Sequence, residues 1–137
     1  MCIRDSQELL SNPSENVSEM LGHPIVVPEP DVLVKDEQMI KLGSVMFRVL
    51  ATPGHTPGGV CYLDEAENVL FCGDTLFWGS IGRTDLPGGS LKVLLDSIRS
   101  RILTLPDGIK CYPGHGPNTT VGAERSSNPF LSGDFYA

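Results

Sequence analysis

A chain of 137 residues, 40% hydrophobic and 20% charged, is long enough for one globular domain with its own core. Its net charge of -7 argues against a nucleic-acid backbone as partner, because phosphate contacts need clustered Lys and Arg, and gives no reason for docking on an anionic membrane. No apolar run approaches the ~18–20 residues that span a bilayer, and Met1–Gln7 contains no apolar stretch of a secretory signal.

Residues 1–24 are polar and weakly patterned. The opening MCIRDS does not blend with the residues after it, so residues 1–16 are expected to be a poorly patterned, non-native N-terminus, foreign or mis-started, and residues 17–137 to carry the fold. Ser11–Asn16 reads as a loop. Pro24, Pro28 and Pro30 exclude helix and leave residues 25–30 extended. Residues 31–43 read as a short strand and a turn. Residues 44–50 (SVMFRVL) form a strand with Val45, Phe47 and Val49 on one face. The Pro- and Gly-rich stretch 51–59 is a loop at its end. Strands at 60–63 and 69–72 flank a polar turn and make a hairpin.

Residues 76–89 form a long glycine-rich loop, a length uncommon unless functional. Ser90 suits an N-cap, and Leu91, Leu94, Leu95, Ile98, Ile102 and Leu105 recur at helical spacing, predicting an amphipathic helix over 91–104. A fourth strand covers 109–112. A short helix starts near Thr119 or Thr120, and Asn128–Leu131 packs on a helix. Of the four cysteines, no pair has CxxC spacing. Cys61, Cys72 and Cys111 lie in apolar runs, which suits reduced, buried thiols and a reducing, cytosolic setting.

Three segments share one design: an apolar strand ends, a glycine allows a bend, and a metal-competent side chain follows. Gly54 precedes His55, Gly73 precedes Asp74 and Gly114 precedes His115. Side chains at the ends of adjacent strands can converge. Imidazole and carboxylate suit zinc, iron or manganese, and a bound divalent ion lowers the pKa of its water toward ~7. A lone histidine is more often structural than a ligand, and His23, isolated beside Pro24, stays with that reading. His55 and His115, two of only three histidines, share a Pro-Gly-His context after a strand. That makes His55, Asp74 and His115 the candidate metal ligands.

The stretches TPGHTPGGVCYL (52–63), VLFCGDTLFWGSIGRTDLPGG (69–89) and CYPGHGPNTTVGAERSSNPFL (111–131) strongly resemble the metallo-β-lactamase superfamily, and within it the glyoxalase II-like (hydroxyacylglutathione hydrolase-like) enzymes. The resemblance implies an α/β fold, the αββα sandwich, with a site at the strand ends between two sheets. It implies that His55 serves one metal, His115 a second, and that Asp74 bridges both as the catalytic carboxylate. The implied cofactor is Zn2+, two per complete site, with Fe2+ or Mn2+ as alternatives. The implied reaction is hydrolysis of a small-molecule thioester or ester by metal-activated hydroxide.

The family's first ligand cluster, H-x-H-x-D-H, has no counterpart in this sequence. The chain is therefore expected to be the C-terminal part of the sandwich, one mixed sheet with flanking helices, leaving an apolar sheet face exposed. It is also expected to bind metal weakly and to turn over little or nothing alone, since catalytic zinc usually has three protein ligands. Arg83 is either paired with Asp85 or in contact with substrate. Two other outcomes stay open: a mononuclear iron persulfide dioxygenase of the same fold, and a non-catalytic fragment. Asp74 argues against β-lactam hydrolysis, for which the resemblance leads one to expect cysteine or no bridging carboxylate at that position.

Overall fold

A computed structural model describes residues 2–3 and 7–132. Of the expected non-native N-terminus, residue 1 and residues 4–6 lie outside the described residues. Cys2–Ile3 (β1) pairs in parallel with Leu33–Val34 (β2). Between them Gln7–Ser11 forms a short helix (α1) that the polar composition had hidden. Met39–Leu42 (β3), Val45–Ala51 (β4), Val60–Asp64 (β5) and Val69–Gly73 (β6) then run as an antiparallel meander.

The expected long loop is not all loop. Leu76–Phe77 (β7) and Ser80–Ile81 (β8) pair as a miniature hairpin turned at Gly79, whose φ is +64°. Two-residue strands are too short to show an alternating pattern. The chain continues through α2 (Leu91–Ser97), Lys110–Pro113 (β9), Thr119–Thr120 (β10) and α3 (Val121–Ser127). The caps are Ser90 and Thr120, whose hydroxyls accept from Val93 and Ala123 N–H groups.

The main sheet has six strands in the order β10-β9-β6-β5-β4-β3. Only β6 and β9 are parallel, joined by a crossover that carries α2, as parallel neighbours require. The result is the expected mixed sheet with flanking helices. Leu50, Cys61, Leu63, Leu70, Cys72 and Cys111 project from one face and meet Leu94, Leu95, Ile98, Ile102 and Val121. Each large aliphatic side chain buried there contributes about 1.5–3 kcal/mol, so this layer fixes how the strand ends sit.

The helix expected over 91–104 is α-helical only through Ser97 and widens into a π turn over Ile98–Ile102. The Leu103 N–H donates to the Ile98 carbonyl at 2.9 Å. Ile98 and Ile102 both stay buried, while Arg101 reaches Asp36 and Glu37, each at 2.5 Å.

The opposite face carries Ile40, Phe47, Tyr62, Phe71 and Tyr112 in cross-strand register. Phe71 lies 5.9 Å from Phe47 and 5.8 Å from Tyr112, ring to ring. Phe71 is 45% exposed, so an apolar patch is present on the face that bears Phe47. Val49, on that same face, is fully buried.

Cys61, Cys72 and Cys111 are free and buried. Hydrogen bonds to Cys111 and Cys61, together with burial, push the Cys72 thiol well up. Among the described residues no helix is long and apolar enough to cross a membrane.

Candidate metal centre

Three connections leave the same end of the sheet. After β4 the chain turns through residues 52–59, closed by Thr52 N–H on the Gly59 carbonyl at 2.8 Å. The Gly54 carbonyl accepts from the Ser90 N–H at 2.8 Å, which ties this loop to the start of α2. Gly54 has φ +135°, and a Cβ there would strike the Leu94 backbone. Only glycine seats this loop on the helix, and His55 follows directly.

Asp74 follows β6 and His115 follows β9. These strands are parallel neighbours, so their ends emerge side by side. The Gly114 N–H donates to the Gly73 carbonyl at 2.7 Å. A Cβ on Gly114 would lie 2.5 Å from Asp74 Oδ1. The missing side chain is what lets the His115 loop pass over Asp74.

The structure brings all three expected ligands together around Asp74. His55 Nε2 lies 3.8 Å from Asp74 Oδ2, and His115 Nδ1 lies 3.3 Å from Asp74 Oδ1. Each carboxylate oxygen thus faces one histidine. His23 is exposed, and of its atoms the backbone N–H bonds Ser18 within the N-terminal segment.

His55 carries the most telling contact. Its Nδ1 is 2.7 Å from the Arg83 carbonyl oxygen. A carbonyl only accepts, so Nδ1 bears the proton and in the neutral ring Nε2 bears a lone pair. In that neutral form the lone pair faces Asp74 Oδ2. Two electron-rich groups facing each other at this separation repel unless a cation sits near both. A backbone carbonyl orienting a histidine from behind is also how metal-ligating imidazoles are held.

The donor chemistry therefore fits a divalent metal, in a particular way. Among the described residues no group of three or more His, Cys, Asp or Glu surrounds a single point as a cage. What is present is two donor pairs sharing one carboxylate, His55 with Asp74 and His115 with Asp74. A cleft of about 290 Å3 opens beside them, lined by His55, Asp74, Phe77, Ser80, Ile81, Gly82, Arg83 and His115.

Arg83 lines this cleft, but its guanidinium is engaged in a two-pronged pair with Asp85, both bonds at 2.8 Å. The guanidinium holds the Asp85 carboxyl down at about 2, so the pair stays ionised at any ordinary pH. The contact of Arg83 with His55 is through its backbone, which no side-chain pattern could reveal. The Phe77 ring packs on the His115 imidazole with centroids 4.5 Å apart. The Thr75 hydroxyl sits 3.2 Å from that of Thr52 and is buried under the site.

The sequence model of the metallo-beta-lactamase superfamily matches residues 3–115. Hydroxyacylglutathione hydrolase GloC of Haemophilus influenzae is 45% identical over 98 residues, covering 72% of this chain and 46% of that protein. The crystal structure of BLEG-1 B3 metallo-beta-lactamase aligns with a TM-score of 0.91 at 45% identity, covering 96% of this chain and 64% of that one. TTHA1623 in a di-iron-bound form aligns with a TM-score of 0.82 at 37% identity, covering 95% of this chain and 63% of that one. The chain spans roughly half the length of the curated relatives it matches, from 46% of one to 62% of another. Its mixed sheet, its strand-end site and these likenesses agree: the chain belongs to the metallo-beta-lactamase superfamily.

Proposed function

We propose that this chain carries the Asp74 side of a metal-dependent hydrolase site acting on a thioester or ester. The observation that carries the reading is the His55 ring, fixed by the Arg83 carbonyl so that its Nε2 lone pair faces Asp74 Oδ2. His55 and Asp74 would hold one metal, and His115 and Asp74 a second. When bound, such ions supply Lewis acidity and a water acidified to near neutrality. Zn2+ is the first candidate, and Fe2+ is supported by the di-iron form of TTHA1623.

The protein's own part is positional. Asp74 places its two oxygens toward two histidines and so fixes them relative to each other. Phe77, Ile81 and Gly82 wall the cleft with apolar surface and backbone, which suits a small acyl group better than a charged polymer. The thioester class rests on the likeness to GloC, whose name describes a hydroxyacylglutathione hydrolase.

The test is thiol release from a hydroxyacylglutathione by the chain at high protein concentration, with Zn2+, Fe2+ or Mn2+ supplied in turn. Each metal would have two of these side chains, one short of the usual three. Slow, metal-dependent release that disappears in Asp74→Ala is expected. Release that survives in Asp74→Ala or under excess chelator would overturn the reading. A second reading has its own observation, the likeness to BLEG-1. Nitrocefin run in parallel separates the two: the carboxylate at position 74 leads us to expect no ring opening, and turnover there would move the substrate class to β-lactams.

A further inference from the structure

The helix after the His115 loop carries a buried acid that takes no part in the two donor pairs. Glu124 is 1% exposed. Its two oxygens point to different elements. Oε2 accepts the Gly79 N–H at 3.0 Å, at the turn of the β7–β8 hairpin, and the Asn128 amide at 2.7 Å. Oε1 accepts the Thr119 hydroxyl at 2.6 Å, where the His115 loop ends. Asn128, also fully buried, donates to the Ser80 carbonyl at 3.0 Å and so grips the hairpin a second time.

From these contacts we infer that Glu124 and Asn128 are positioning residues for His115. The hairpin bears Phe77, whose ring packs on the imidazole of His115. His115 itself is 74% exposed, and among the described residues the other partner of its ring is Asp74. One carboxylate thus holds both sides of that ring contact, hairpin on one oxygen and loop on the other. Three donors converge on Glu124, and a carboxylate, which only accepts, is the side chain that satisfies all of them. His55 is held by the Arg83 carbonyl, just past β8, so the latch reaches His115 through Phe77 and bears on His55 only through the exit of the hairpin. The metal-affinity part rests on the proposed function, whereas the positioning itself does not.

The only tryptophan of the chain, Trp78, sits on the hairpin turn next to Gly79 and is 66% exposed, which makes it a built-in reporter. In Glu124→Ala, Trp78 fluorescence anisotropy is expected to fall. The His115 imidazole 15N resonances should move. Zn2+ affinity, read by competition with a chromophoric chelator, should fall about 10–100-fold, the usual loss when a group supporting a ligand is removed. Glu124→Gln keeps an acceptor for Gly79 and is expected to restore Trp78 and most of the affinity. A folded Glu124→Ala chain with unchanged Trp78 anisotropy and unchanged His115 resonances overturns the inference. Should Glu124→Ala fail to fold, Phe77→Leu tests the same link with the latch intact. It should shift His115 and weaken Zn2+ binding without loosening Trp78, and an unmoved His115 overturns it. A wild-type chain that binds no Zn2+ sinks the proposed function, while Trp78 and the His115 resonances still decide this inference.

Discussion

Replacing Asp74 with alanine is expected to weaken Zn2+ binding by about 100-fold or more, because removing even a group that merely supports a ligand costs 10–100-fold. Asp74 is the donor that both histidines share, at 3.8 Å from His55 and 3.3 Å from His115. Its loss leaves two isolated imidazoles, each a single neutral ligand. Replacing His115 alone still leaves His55 paired with Asp74, so a smaller loss and one remaining weak site are expected. Asp85→Ala is the control. That residue lies in the neighbouring loop and pairs with the Arg83 side chain, whereas His55 is held by the Arg83 backbone. Equilibrium dialysis with metal analysis ranks the three variants. An Asp74→Ala chain that binds as tightly as the parent would remove the carboxylate from the site.

Gly54→Ala is expected to cost about 2–6 kcal/mol of stability, adding overpacking of about 1–3 kcal/mol to backbone strain of similar size. The new Cβ would meet the Leu94 backbone, and the φ of +135° is one that L side chains rarely adopt. Leu94 is fully buried in the layer that supports the sheet, so the helix cannot give way without loss. Against a total stability of about 5–15 kcal/mol, this is a large fraction. Thermal unfolding followed by circular dichroism should fall by about 10 °C or more. Gly108→Ala is the matched control, since a Cβ there meets nothing within 4 Å. A melting point for Gly54→Ala equal to that of Gly108→Ala would show that the loop does not depend on this contact.

Much of this site is legible in the sequence because glycine punctuates it. Each ligand follows a strand and a glycine, and strands β4, β6 and β9 are long and apolar enough to be read by pattern. What escapes reading does so for physical reasons. The β7–β8 hairpin has too few residues to show a period. The π turn over Ile98–Ile102 keeps the apolar spacing of an α-helix and so looks like one. The bond from His55 to the Arg83 carbonyl uses a backbone acceptor, which every residue has. Glu124, a charged residue on a short helix, lies inside. A signal did exist there: Val121, Glu124 and Asn128 recur at the spacing of one helix face, and all three are buried.

The likeness to known proteins extends the reading in one direction and restrains it in another. It places the chain in a superfamily of metal-binding hydrolase-like proteins. Relatives of the same fold are named for different substrates, a hydroxyacylglutathione in one and a β-lactam in another, so the fold does not choose among them. The choice rests on the cleft beside Asp74 and on the groups that hold its two histidines.

The most direct test of that arrangement is titration of the 15N-labelled chain with Zn2+, following the imidazole resonances of its three histidines. His55 and His115 are expected to shift together and saturate, with His23 unmoved, and the response should vanish in Asp74→Ala. A chain in which His55 and His115 stay unmoved at millimolar Zn2+, or in which His23 shifts as strongly as they do, would contradict a metal centre built on Asp74.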